Sequence, residues 1–130
     1  MCDVSKLETS MSVDLKKYAL RLHKSCFRML GEPKYIQLLV NPGELVVAVR
    51  AVSQELPRDS IHKINSKRMN SENSYEIYSR SFVRKLCQVI GGLDEGYSYR
   101  MIGRVFPKEG TAVFSLRSMQ KITHVQETQP

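Results

Sequence analysis

The sequence predicts an α+β fold, built from two tandem, pseudo-symmetric β-α-β-β repeats that form one compact domain with antiparallel hairpins. Three observations lead there. The octets "HKSCFRML" (23–30) and "SRSFVRKL" (79–86) share a basic residue, a serine, two apolar residues, an arginine and a leucine in the same order. Each octet follows a short alternating run and precedes two β-rich runs joined by a turn. A polar stretch, "SQELPRDSIHKINSKRMNSENS", separates the two halves. Repeat one therefore covers about 18–52, the linker 53–74 and repeat two about 75–122.

Residues 1–17 are polar and read as a frayed lead-in, as does "THVQETQP" at the far end. "YALRL" (18–22) alternates with a period of two and predicts a strand. In "KSCFRMLG", Ser25 is the expected N-cap, Cys26, Phe27 and Leu30 the apolar face, and Gly31 with Pro33 the stop. "KYIQLLV" and "ELVVAVRAV" predict a hairpin across Asn41-Pro42-Gly43, with Pro42 fixing φ and Gly43 supplying a positive φ. Within the linker, Ile61 and Ile64 suggest one helical turn over 59–65. "YEIY" (75–78) is the next strand, and the following helix carries Ser79 or Ser81 as cap. Its buried stripe is Phe82, Val83, Leu86 and Ile90, and Gly91-Gly92 is its exit. "YSYRMIGRVF" and "TAVFSLR" form a second hairpin across 107–110, with Gly103 marking a bulge or bend.

The 130 residues are 42% hydrophobic and 25% charged, a globular composition rather than a disordered one. No apolar run approaches the roughly 20 residues of a membrane span. No basic start leads into an apolar block, so a cytoplasmic protein is expected. Cys2, Cys26 and Cys87 are then reduced thiols, the last two in apolar settings.

A net charge of +7 and a pI near 9.5 make polyanions, duplex DNA first among them, the expected partner. Residues four apart on a helix share a face. Lys24 and Arg28 therefore project together, as do Arg80 and Arg84, with Lys85 beside them and Arg21 on the strand before the first helix. The linker adds Lys63, Lys67 and Arg68, with Arg58 and His62 nearby. These nine, from Arg21 to Lys85, are the candidate DNA-binding set. No catalytic chemistry is predicted. His23, His62 and His124 are dispersed without metal-ligand spacing, no glycine-rich loop precedes a helix, and no cofactor is implied.

"LHKSCFRMLG" (22–31) resembles the first strand and helix of bacterial AbrB-like swapped-hairpin transcription factors, whose motif runs I-P-K-E-L-R-R-x-L-G. Leu22 falls on the Ile, Lys24 on the Lys, Cys26 on the Leu, Arg28 on the second Arg, and Leu30-Gly31 on the Leu-Gly; His23 stands in the proline's place. The resemblance implies a transcriptional regulator presenting basic residues to DNA, with both copies in one chain as in the MraZ branch. The alternative expectation is a protein-interaction or clamp-like assembly module of phage or mobile-element origin. Homo-oligomers suit either reading.

Overall fold

The structure is a computed structural model that describes residues 7–53, 61–64 and 74–122. Its strands are β1 (Glu8–Asp14), β2 (Ala19–His23), β3 (Tyr35–Asn41), β4 (Val46–Val52), β5 (Ile61–Lys63), β6 (Ser74–Tyr78), β7 (Ser98–Phe106) and β8 (Thr111–Ile122). Among the described residues the α-helices are α1 (Lys24–Met29) and α2 (Arg80–Ile90), and a 3-10 turn covers Pro107–Glu109. All eight strands join a single sheet in the order β5-β3-β4-β8-β7-β1-β2-β6. Every neighbouring pair is antiparallel.

That topology overturns the expected pair of α+β repeats. Strands make up 55% of the described residues, and the sheet curls into a nearly closed barrel with only two α-helices among them. The two predicted hairpins do not sit in separate units: β4 pairs with β8, Val47 opposite Phe114 and Val49 opposite Ala112. Two segments read otherwise also become strands. β1 was expected to fray, yet it lies between β7 and β2, with Met11 and Val13 inward and Ser10 and Ser12 outward. β5 replaces the expected helical turn, because Ile61–Lys63 pair with the start of β3.

The inward positions of every strand but β5 meet in one core cluster, from Met11, Leu20 and Leu22 through Ile36, Leu38, Val47 and Val49 to Met101, Val105 and Phe114. Each such side chain contributes about 1.5–3 kcal/mol by leaving water. The helices stopper the barrel at opposite ends. In the β2–β6 ladder Ala19 faces Tyr78 and His23 faces Ser74. α1 leaves directly after His23 and α2 after Tyr78, so they start at opposite ends of that ladder. α1 buries Cys26 and Phe27, the latter ring 4.5 Å from that of Tyr75. α2 buries Phe82, Val83 and Leu86.

Ser79 caps α2, its hydroxyl accepting from Phe82 N–H. For α1 the cap is His23 rather than Ser25: His23 Nδ1 accepts the Ser25 N–H at 3.0 Å. At the first hairpin the positive φ falls on Leu45, at 56°, and not on Gly43. Asn41 Oδ1 accepts from Glu44 N–H and closes the turn from its first residue. The irregularity in the second hairpin lies between Arg100 and Ile102, where β8 inserts residues between Ser115 and Gln120. There Ser118 Oγ accepts the Ile102 N–H and donates to the Ser115 carbonyl, replacing the broken ladder. Gly103 itself is regularly paired with Phe114. Its missing side chain serves a different need, because the Val113 carbonyl and Phe114 fill the space that a Cβ would take.

Candidate nucleic-acid interface

Alternation places Arg21 on the outer face of β2, as the sequence suggested, but its charge is already engaged. Its Nη2 lies 2.8 Å from Asp14 and its Nε 2.8 Å from Glu76, bridging the strands on either side. The side chains are only 18%, 10% and 19% exposed, respectively. Burial on its own would raise the Asp14 pKa, but the Arg21 hydrogen bond and the backbone N–H groups of Lys17 and Lys16 outweigh it and lower it. The Glu76 carboxyl is lowered by the Tyr78 hydroxyl and by Arg21. Arg21 therefore holds three strands together and has little charge left for a ligand.

Three other predicted residues do converge. Arg80 and Arg84 stand one turn apart at the start of α2, with Lys85 beside them. The guanidinium carbons of Arg80 and Arg84 lie 5.1 and 5.9 Å from the centroid of the Tyr18 ring. Two like charges at this spacing repel by a few tenths of a kcal/mol, and the π face of Tyr18 offsets part of it. Tyr18 is held there by the chain: its φ is 57°, and its carbonyl accepts the Ser79 N–H that opens α2. The same β1–β2 turn carries Lys16 and Lys17, both exposed, whose N–H groups bond Asp14. Tyr78, 56% exposed, flanks the cluster, its hydroxyl donating to Glu76.

This arrangement is poor for stability alone. The first turn of α2 holds no acid, although the positive end of the helix dipole favours one. Glu76, the nearest carboxylate on β6, is bound to Arg21 and Tyr78. An external anion would relieve the accumulated charge, and a guanidinium stacked on an aromatic ring keeps its N–H edge for a phosphate. Tyr18 was the residue that sequence reasoning missed. Its signal was the run Lys16-Lys17-Tyr18, basic residues beside an aromatic.

The remaining predicted residues lie elsewhere. Lys24 and Arg28 are on α1, at the far end of the β2–β6 ladder from Arg80. Lys63 is exposed on β5, beside the start of β3. Lys67, Arg68 and Arg58 fall outside the described residues. The two basic helix faces thus do not form one surface, contrary to the symmetric docking expected.

Among the described residues no group of three or more His, Cys, Asp or Glu side chains could hold a metal. Burial pushes the Cys26 thiol up to about 11. It should resist maleimide at neutral pH in the native protein and react only on unfolding; rapid native labelling would contradict its burial. His62 points inward from β5, and burial lowers its pKa. No helix among the described residues is long and apolar enough to cross a membrane. No family model, curated protein or solved structure matches the chain.

Proposed function

We propose that the protein is a DNA-binding regulator that grips the duplex backbone with the α2 end of the barrel. The observation that carries this reading is the Tyr18–Arg80–Arg84 stack, with Lys85, Lys16 and Lys17 around it and no free carboxylate in the first turn of α2. Stacked guanidinium groups would pair phosphate oxygens in two-pronged fashion, while the lysines add point charges along the strand. The role is one of binding, with no bond made or broken. The likeness of 22–31 to the AbrB-like motif points the same way, although its matched cations lie on α1 at the other end.

The test is fluorescence anisotropy of a labelled duplex across a salt series. Each phosphate contact contributes about −0.9 to the slope of log K against log salt. The double variant R80A/R84A is expected to flatten that slope by about two contacts and to weaken binding tenfold or more at about 0.1 M salt. R28A should leave both unchanged. Absence of binding at about 50 mM salt would end the proposal. An unchanged slope in R80A/R84A with loss in R28A would move the site to α1.

A further inference from the structure

The outer face of the barrel is divided. Around β1 and β2 it is polar, with Ser10, Ser12 and Arg21 pointing outward. Across β3, β4, β8 and β7 it is mixed: Leu39 lies opposite Ala48 and Ala48 opposite Val113, with Val46, Ile102 and Phe106 alongside, and Gln37, Arg50, Thr111, Ser115 and Arg104 are set among them. Ile102 is 53% exposed, Phe106 41% and Leu39 38%. An antiparallel sheet ordinarily turns polar residues to water on its outer side, so large apolar side chains exposed among them mark a contact surface.

Between the knobs of Ile102 and Phe106 lies a hollow of about 310 Å³, floored by Gly103 and Val113 and walled by Arg104 and Glu8. Glu8 and Arg104 are opposite each other in the β1–β7 register. Neither takes part in any of the ion pairs among the described residues. An acidic partner would satisfy Arg104 but meet Glu8; a basic one would do the reverse. A second copy of the chain, related by a two-fold axis, satisfies both.

We propose that two copies associate through this face. Each Ile102 enters the other's hollow, and each Arg104 pairs with the partner's Glu8. Such an interface is isologous, with knob, hollow and both charges on one patch. Four strands about 4.8 Å apart and about five residues long give a patch of roughly 350 Å² per copy. That is below the size of a permanent interface, so the dimer is weak and depends on concentration. The inference does not rest on DNA binding, since its knob, hollow and charge pair lie on β1, β7 and β8; of the exposed apolar residues on this face only Leu39 also lines a groove with Lys85 at the α2 end.

The experiment is sedimentation velocity on the full chain from about 5 to about 500 µM. The weight-average mass should climb from 14.9 kDa towards twice that value. R104E, which sets two acids against each other, should stay monomeric throughout, and I102S should shift the midpoint at least tenfold upward in concentration. The swapped pair E8R/R104E should dimerise again; because it must fold to do so, rescue excludes unfolding as the cause of the loss. A parent chain that stays monomeric at every concentration overturns the proposal. So does R104E that dimerises undiminished, or a swap that fails to rescue.

Discussion

Gly103→Ala is expected to destabilise the protein by about 3 kcal/mol or more. A Cβ at this position would collide with the carbonyl oxygen of Val113 and come within 2.5 Å of Phe114 Cδ2 and 2.9 Å of Phe114 Cα. Two of those three atoms are backbone of β8, which cannot retreat without breaking the ladder that pairs Gly103 with Phe114 and Arg104 with Val113. The third belongs to a fully buried ring in the centre of the core, with no second rotamer volume beside it in a close-packed interior. Thermal denaturation should show the midpoint about 10 °C lower. A variant within about 0.5 kcal/mol of the parent would mean that the two strands do not approach as described.

The second large effect is expected at Arg21. In Arg21→Met, Asp14 and Glu76 keep their places on either side of β2 but lose the cation between them. The cost at neutral pH should be about 2–3 kcal/mol, less than for a fully buried pair because each side chain keeps some contact with water. The pH dependence gives the sharper signature. In the parent both carboxyls have folded pKa values below their reference values of 3.8 and 4.5. A depressed carboxyl contributes stability that is complete above its unfolded pKa and is lost as pH falls through the folded one. The parent should therefore weaken on acidification below about pH 4. The variant loses the Arg21 share of that depression, keeping the Tyr78 hydroxyl at Glu76 and the Lys16 and Lys17 N–H groups at Asp14, and should weaken less, so the two urea-denaturation curves draw together at low pH. A gap that stays constant from pH 7 to pH 3 would show that the ion pairs do not set it.

Local features were the legible ones. Ser79 as a cap, Phe82, Val83 and Leu86 as a buried stripe, and the turn at 107–110 all follow from residues within a few positions of each other. What the sequence could not supply was partnership across distance. Met11 and Val13 among serines and threonines looked too sparse for a strand, yet β1 is held on both sides by neighbours nearly complementary in register. Matching octets suggested two equal units, but the strands after them pair with each other across the supposed boundary. Arg21 shows the same limit at the level of charge. Alternation correctly turned it outward, and only the sheet order brings acids from β1 and β6 to meet it. The cluster at α2 was half visible: Arg80, Arg84 and Lys85 came from helical spacing, whereas Tyr18 reaches them from more than sixty positions away in the chain.

The hairpin of β7 and β8 occupies the middle of the sheet, with β5, β3 and β4 on one side and β1, β2 and β6 on the other. Among the described strands it is also the last pair to leave the ribosome. A nascent chain that has emerged only as far as α2 can form two separate three-stranded groups, each with an open apolar edge and no common interior. Completion waits for this hairpin to slide between them, joining β4 to β1 across strands made after all the others described. Such non-local closure is slow compared with helix formation, and the interval leaves strand edges uncovered. The vulnerable interval is therefore the one in which β1 to β6 have emerged and the hairpin that unites them has not.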